Sequence, residues 1–457
     1  MNKFLLLLTS LYVTTFFSQT TNSSWIRYEN YVDTLSSNYF KGRGYVDNGH
    51  LKAAKFISNE FQTIGLDSIT SSGYLQHFKT NVNTFPTEIK LKINDDSLIA
   101  GVDYLIEPGS VSCQGIFEVL EINLSNWETF ALNKKNKHLC LLIDVSNVEN
   151  KDSLLIYNEI KKVLNKKYPI LWISSENLQW SVSQYTLSNA IIKLRPEIIK
   201  EEIKIVEIDV KNNFITSLET QNIIGKIKGR KKKDIIISAH YDHLGMMGDV
   251  LFPGANDNAS GVSSLLNLAS FFKKYKPKYN IIFICFGAEE LGLLGSKFFT
   301  ENPLIELENI KLLLNLDIVG TGEDGIAIVN AFEQEKVAKI IGKINEKHDL
   351  FSKIKLRGQT PNSDHYWFSK INVPAIFIYT MGGIKAYHDP LDKSVTLPQF
   401  NIQTDVKHQY NRKRIVQKRI DYNPVTIQFH DDSYGVTTAM WEAYYRYYYR
   451  DGNYGTI

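Results

Sequence analysis

Residues 235–261 constrain the fold of this chain more than any other stretch of the sequence. Apolar residues 235–237 are typical of a strand buried on both faces, and His240 and Asp242 follow directly after it. In an open parallel sheet, ligands bind at the edge formed by the carboxyl ends of the strands. A carboxylate at Asp242 can accept the second ring N–H of His240 and fix its tautomer. Asp257 follows in the motif GANDNASG, just before an amphipathic helical pattern.

Side chains of the same kind follow three later apolar runs that have the length of buried strands. Strands that alternate with helices form a right-handed α/β sheet, whose carboxyl ends lie along one edge. So many carboxylates in one cleft are costly unless cations neutralise them. His and carboxylate ligands without sulfur suit zinc better than magnesium or calcium. The side chains are Glu289 and Glu290 after residues 280–286, Asp317 after residues 311–316, and His388 after residues 375–380.

Glu289 and Glu290 are adjacent, so their side chains point in different directions. One of them can bind a metal ion while the other faces a water molecule activated by the metal. A carboxylate that takes the proton of this water and returns it to a leaving amine is a general acid–base catalyst. The alternative is a solvated helix start, where the helix dipole favours acidic side chains.

The pattern of the N-terminal residues predicts that the protein is exported. Lys3 supplies a positive charge, residues 4–17 are mostly apolar, and a polar run begins at Ser18. This pattern indicates a secretory signal peptide, residues 1–19, cleaved near Ser18 or Gln19. No later stretch has the roughly 18 apolar residues of a spanning helix, so we expect a periplasmic or secreted protein without stable membrane insertion. The 52 Lys and Arg nearly balance the 49 Asp and Glu, which argues against a nucleic-acid partner.

The rest of the chain divides into four predicted segments. Residues 20–99 begin the main domain with an amphipathic helical pattern. In residues 100–205, short β-type runs alternate with lysine-rich loops and no metal-type side chains converge, which indicates an inserted, mostly β module. Residues 206–404 complete the main domain and contain every candidate ligand. Residues 405–457 form an atypical tail.

Six motifs, in this order, resemble those of the metallopeptidase family M28, in particular the bacterial leucyl-aminopeptidase type with two zinc ions. They are HYDHLG, GANDNASG, FGAEELGLLGS, NLDIVG, NSDHYWF and YHDPLD, and the resemblance extends over about residues 25–403. It implies a zinc exopeptidase fold, in which helices flank a mostly parallel central sheet. It also implies that residues 100–205 are similar to a protease-associated domain.

The resemblance also implies a role for each candidate residue. His240 and Asp317 would bind one zinc ion, and Glu290 and His388 would bind the other. Asp257 would bridge the two ions. Asp242 would orient His240, and Glu289 would be the general base. The implied substrates are the N-termini of peptides or proteins; the oligomeric state is open.

Three functions are compatible with these residues. The first is a di-zinc aminopeptidase. The second is an acyltransferase similar to glutaminyl cyclases, which use a single zinc ion on a similar fold. The third is a catalytically dead binding module, but the presence of Glu289, His240 and His388 argues against it.

The tail differs in texture from the rest of the chain. It contains a basic run at residues 411–419 and a tyrosine-rich end, MWEAYYRYYYRDGNYGT. This end has a weak resemblance to a segment of contractile phage tail-tube or baseplate proteins. We expect residues 405–457 to have no part in catalysis.

Overall fold

The computed structural model describes residues 24–132, 138–383, 385–395, 404–409 and 412–417, the last two ranges by their backbone alone. The predicted signal peptide, residues 1–19, lies outside the described residues, as does most of the tail. Within the tail, strands Thr404–Gln409 and Arg412–Gln417 pair antiparallel. They belong to a compact unit, Leu397–Ile457, while all remaining described residues belong to another, Met1–Thr396.

A nine-stranded mixed sheet forms the centre of the main domain. Its four middle strands are mutually parallel, so their carboxyl ends lie at one edge. In spatial order they are Tyr279–Phe286, Lys231–His240, Ile310–Leu316 and Ala375–Thr380. The prediction of an α/β fold with a mostly parallel central sheet is confirmed. The outer strands are Asp67–Ser68, Leu75–Thr84 and Asn213–Ile227 on one side, and Ile326–Val329 and Ile354–Leu356 on the other.

Strand Tyr279–Phe286 lies in the middle of the sheet and is apolar on both faces. Its last six residues are buried, and successive side chains alternate between the two faces. One face packs against helices Gly49–Ile64 and Ser260–Lys274. The other packs against Leu294–Glu301 and His365–Lys370. Each Ile or Phe buried here contributes about 1.5–3 kcal/mol of transfer free energy, so the polar ligands are confined to the strand ends.

The remaining helices of the main domain also pack against side chains of this sheet. Residues 24–35 form a helix that leads, through two short 3-10 turns, into helix Gly49–Ile64. Helix Glu335–His348 packs on the side of strand Ile326–Val329. Within the described residues, no helix is both long and apolar enough to cross a membrane.

The predicted inserted module is a second, eight-stranded sheet. It differs from the expectation of a mostly β module because helices Trp127–Leu132 and Lys151–Asn165 connect its parallel strands. Only four residues of helix Lys151–Asn165 are buried: Tyr157, Ile160, Leu164 and Asn165. Charged residues lie between them, so the apolar periodicity of this helix is weak in the sequence. The sheet also extends past residues 100–205 at both ends. Its strands, in spatial order, are Asp96–Ser97, Lys90–Ile93, Ile205–Val210, Cys113–Glu121, Leu139–Asp144, Ile170–Ile173, Ile191–Leu194 and Tyr104–Ile106.

The module shares a hydrophobic core with the main domain. Met247 and Phe252, in a hairpin formed by Gly245–Met247 and Val250–Phe252, are fully buried among module side chains. Trp180 of the module stacks on Phe252, with ring centroids 4.8 Å apart. The module is therefore attached to the main domain by apolar packing beside the strand ends.

We predict that the chain truncated after Gln403 keeps its metal content and its catalytic rate. The reason is that every candidate ligand belongs to the unit Met1–Thr396. Metal analysis and kcat of the truncated and full-length proteins measure this. Loss of metal on truncation would show that residues 404–457 are part of the main fold.

Candidate metal centre

The seven predicted site residues lie together at the carboxyl edge of the parallel strands. Because parallel strands end at the same edge, side chains distant in sequence meet there. His240, Asp242, Asp257 and Asp317 are each at least nine-tenths buried. The seven are His240 at the end of strand Lys231–His240, Asp257 before helix Ser260–Lys274, Glu289 and Glu290 after strand Tyr279–Phe286, Asp317 after strand Ile310–Leu316, and Asp242 and His388 in loops.

Asp257 divides the centre into two half-sites. Its Oδ1 lies 3.3 Å from Nε2 of His240, and its Oδ2 lies 3.3 Å from Nε2 of His388. The first half-site contains His240 and Asp317, with Nε2 and Oδ1 3.0 Å apart. The second contains His388 and Glu290, with Nε2 and Oε2 3.2 Å apart.

These distances fit metal coordination. Two donors that each lie about 2.1 Å from a tetrahedral zinc ion are about 3.4 Å apart. The observed separations of 3.0–3.3 Å are close to that value. The donors are imidazole nitrogens and carboxylate oxygens, which zinc accepts. The residues therefore fit the predicted group, with Asp257 able to supply one oxygen to each ion.

The electrostatics of the centre also favour cations. Burial opposes protonation of His388, yet Glu290 and Asp257 raise its pKa to about 11. Burial likewise opposes protonation of His240, and Asp317 and Glu289 raise its pKa well above the usual value. Protons on these rings offset the carboxylate charge in the same way that bound cations would. The centre is thus arranged to hold positive charge.

Glu289 and Glu290 face different half-sites. Glu290 contacts His388 through Oε2 and receives a hydrogen bond from Nδ1 of His243 on Oε1, at 2.7 Å. A ligand atom of Glu289 instead lies within 4.8 Å of those of His240 and Asp317. Burial raises the pKa of Glu289 well above its usual value, against the opposing charge of His240. The divergence predicted for this pair is therefore present, and Glu289 is the carboxyl that holds a proton more tightly.

His243 is a further residue of the centre, and the motif HYDHLG favours a structural role for it over that of a fifth ligand. The fully buried ring orients Glu290 directly. Its proximity to His240 in the motif HYDHLG was the available signal, but spacing alone does not show which carboxylate a loop histidine faces.

Asp242 acts on a different partner from the one predicted. Nδ1 of His240 lies 3.1 Å from the main-chain carbonyl oxygen of Asp242, not from its carboxylate. The carboxylate accepts hydrogen bonds from the main-chain N–H groups of Glu289, at 3.1 Å, and Glu290, at 3.4 Å. The prediction that the Asp242 carboxylate orients His240 is therefore wrong: it fixes the turn that carries the glutamate pair. The spacing of a His and an Asp does not distinguish a side-chain acceptor from a main-chain one.

Two further buried residues support the ligands. Ser363 donates a hydrogen bond from Oγ to Oδ2 of Asp317, at 2.8 Å. The carboxylate of Asp392 accepts the main-chain N–H groups of Asn256 and Asp257, at 2.8 and 3.0 Å. Asp392 follows His388 closely in the chain, so it ties the loop of His388 to the backbone of Asp257.

Arg43 holds the ligand loops from behind. Its guanidinium is fully buried and donates only to main-chain carbonyl groups. Burial lowers its pKa to about 10, so it stays cationic at neutral pH. An arginine with five donors is suited to joining several loops at once. The acceptors are the carbonyl oxygens of Leu35, Tyr241, Pro253, Gly254 and Asp257.

Comparison with protein families identifies part of the chain. The model described as Peptidase family M28 matches residues 222–406. Aminopeptidase YwaD of Bacillus subtilis is 43% identical over 119 residues, which are 25% of this chain and 25% of that protein. Leucine aminopeptidase 2 of Trichophyton rubrum is 36% identical over 121 residues, 25% of this chain and 23% of that protein. The matched stretch spans about a quarter of the length of these curated relatives.

Solved structures extend the similarity of fold beyond the matched stretch. The zinc aminopeptidase BSAP from Bacillus subtilis has a TM-score of 0.60 and 21% identity, and the alignment covers 81% of this chain and 90% of that one. The aminopeptidase from Aneurinibacillus sp. strain AM-1 has a TM-score of 0.55 and 20% identity, with 81% and 89% covered. At these identities the likeness establishes the fold alone.

We predict that Asp242→Asn weakens zinc binding by about 10–100-fold, as changes behind metal ligands do. The asparagine retains one acceptor oxygen, but its NH₂ group meets a main-chain N–H. The matched control is Asp234→Asn, because Asp234 is also buried but lies six residues before His240 in strand Lys231–His240, where its carboxylate accepts a hydrogen bond from Asn280. Competition with a chromophoric chelator measures both affinities. Equal weakening in the two variants would contradict the assignment.

Proposed function

We propose that this protein is a di-zinc aminopeptidase that hydrolyses N-terminal residues from peptides or proteins, since residues 222–406 match the model of Peptidase family M28. The observation that carries the proposal is the position of Asp257, whose two carboxylate oxygens face separate half-sites. A carboxylate so placed can bridge two metal ions about 3.5–4 Å apart. Relatives named as aminopeptidases support the choice of reaction.

The proposed mechanism uses Glu289 to move the proton. Bound zinc ions would polarise the scissile carbonyl and lower the pKa of a water molecule towards about 7. Glu289 takes a proton from the attacking water and returns it to the leaving amine. Glu289 lies beside His240 and Asp317 at the first half-site, where it can hold that proton between the two steps. Glu290 takes no part in this proton transfer because it faces His388 at the second half-site and is hydrogen-bonded to His243.

The acidic character of the centre supports action at the N-terminus. A free α-amino group is largely cationic near neutral pH. The carboxylates of Asp257, Glu289 and Asp317 therefore attract it and orient the substrate with its first peptide bond at the centre. A blocked N-terminus loses this attraction.

We also propose that the protein is exported to the periplasm or the medium. The basis is the pattern of residues 1–19, since an apolar run of that length after a lysine is typical of a signal peptide.

We predict that Glu289→Gln lowers kcat by about 10²–10⁴-fold, because it removes only proton transfer. Metal content and KM should stay close to those of the wild type. Glu290→Gln is the matched comparison and should lose metal from the second half-site, since Glu290 faces His388. Zinc analysis and steady-state kinetics of both variants measure this. Metal loss in Glu289→Gln with retention in Glu290→Gln would mean that the two roles are exchanged.

We predict that acetylating the α-amino group of a short peptide abolishes its hydrolysis. The matched control is the same peptide acetylated only on a lysine ε-amino group, which should remain a substrate. Chromatography of the products measures both reactions. Undiminished cleavage of the α-acetylated peptide would identify an endopeptidase or a carboxypeptidase instead.

A further inference from the structure

The inserted module contributes the hydrogen-bond partner of a candidate metal ligand. Nδ1 of His388 lies 2.9 Å from the main-chain carbonyl oxygen of Trp180. In return, the main-chain N–H of Trp180 donates to the carbonyl oxygen of His388, at 3.1 Å. The two residues are 208 positions apart in the chain. A carbonyl oxygen only accepts, so this pairing places a hydrogen on Nδ1 and leaves Nε2 to face Asp257 and Glu290.

The indole of Trp180 keeps that carbonyl in place. Its Nε1 donates to the carbonyl oxygen of Ile106 in a module strand, at 2.9 Å. Its ring stacks on Phe252 of the main domain at an interplanar angle of 23°. The residue is 3% exposed, so both contacts are shielded from water. Trp180 is therefore anchored on both sides of the boundary between the module and the main domain.

The same module segment also reaches the loop of the second carboxylate. The side-chain amide of Gln184 donates to the main-chain carbonyl oxygen of Leu291, the residue after Glu290. Between these contacts, the carbonyl oxygen of Ser183 accepts the main-chain N–H of Asn83, at 2.8 Å. We call residues 180–184 the strap. It contacts the loops of both ligands that belong only to the second half-site.

The first half-site receives its support from the main domain. Nδ1 of His240 faces the carbonyl oxygen of Asp242, and Asp317 accepts from Ser363. These partners come from the loops of the central sheet. In the described residues, the ligands of the second half-site are thus held by the main domain and by the module together, through His243 and Asp242 on one side and residues 180–184 on the other.

We propose that the strap is a positioning element for the second half-site, through which the inserted module sets its affinity for zinc. The inference rests on the proposed di-zinc function. Trp180 orients His388 and fixes its tautomer, and Gln184 restrains the turn that carries Glu290. Loss of such an outer partner typically costs 10–100-fold in metal affinity.

The test is a zinc titration of the metal-free, full-length protein in competition with a chromophoric chelator. Trp180→Ala removes both contacts that anchor the strap. It should lower the affinity for one of the two zinc ions by about 10–100-fold and leave the affinity for the other nearly unchanged. Trp180→Phe keeps the ring stack but loses the hydrogen bond to Ile106. It should lower the affinity for the same zinc ion by a smaller factor. Gln184→Ala removes only a side chain that contacts Leu291, so it tests the strap without disturbing the module core.

The matched control is Trp172→Ala. Trp172 is a buried tryptophan of the same module, but it packs in a different core, with Tyr157 and Ile160. It should leave both zinc affinities unchanged even if it lowers the stability of the module. The inference would be overturned if the strap variants lowered both zinc affinities to the same degree. It would also be overturned if Trp172→Ala lowered one of the two affinities as the strap variants do.

The wild-type titration separates this inference from the function it rests on. Binding of two ions by the wild type, with no selective change in the strap variants, would overturn the role of the strap and leave the di-zinc function standing. Binding of a single ion by the wild type would refute the di-zinc function itself, and the strap inference with it.

Discussion

Mutual repulsion among buried carboxylates is the constraint on which the rest of this structure depends. Asp257, Glu289, Glu290 and Asp317 lie within a few ångströms of two histidines, and burial makes each negative charge costly. Positive charge in the same space, or protonation of some of the carboxylates, offsets this cost. The neighbouring carboxylates raise the pKa values of His240 and His388, so both rings favour the positively charged form. The composition of this centre therefore favours the binding of cations, whichever reaction it catalyses.

Much of this centre could be predicted from the sequence because parallel strands end at one edge. His240, Asp317 and the glutamate pair each follow a buried apolar run, so their convergence required only the α/β fold. Arg43 and Trp180 could not be found in this way. Arg43 donates to the carbonyl oxygen of Tyr241, and the carbonyl oxygen of Trp180 faces His388, in each case about 200 positions away. A sequence does not mark such main-chain acceptors. The misassigned partner of Asp242 has the same cause, since its carbonyl and its carboxylate are both within reach of the loop.

The structure also changes the view of the inserted module. The sequence of residues 100–205 predicts an accessory module in which no metal-type side chains converge. Its packing on Phe252 nevertheless places a main-chain carbonyl beside His388. A segment can therefore shape a metal centre without supplying a ligand, because a histidine has two nitrogens and the one that faces away needs its own partner. The boundary between the two parts of the chain lies next to the proposed chemistry.

The number of zinc ions bound per chain tests the central claim most directly. Elemental analysis of the zinc-saturated, dialysed protein should give two ions per chain, because Asp257 offers one oxygen to each half-site. His240→Ala and His388→Ala, one ligand from each half-site, should each reduce the count. At most one ion in the wild-type protein would contradict the di-zinc account and would favour a single-zinc enzyme on the same fold.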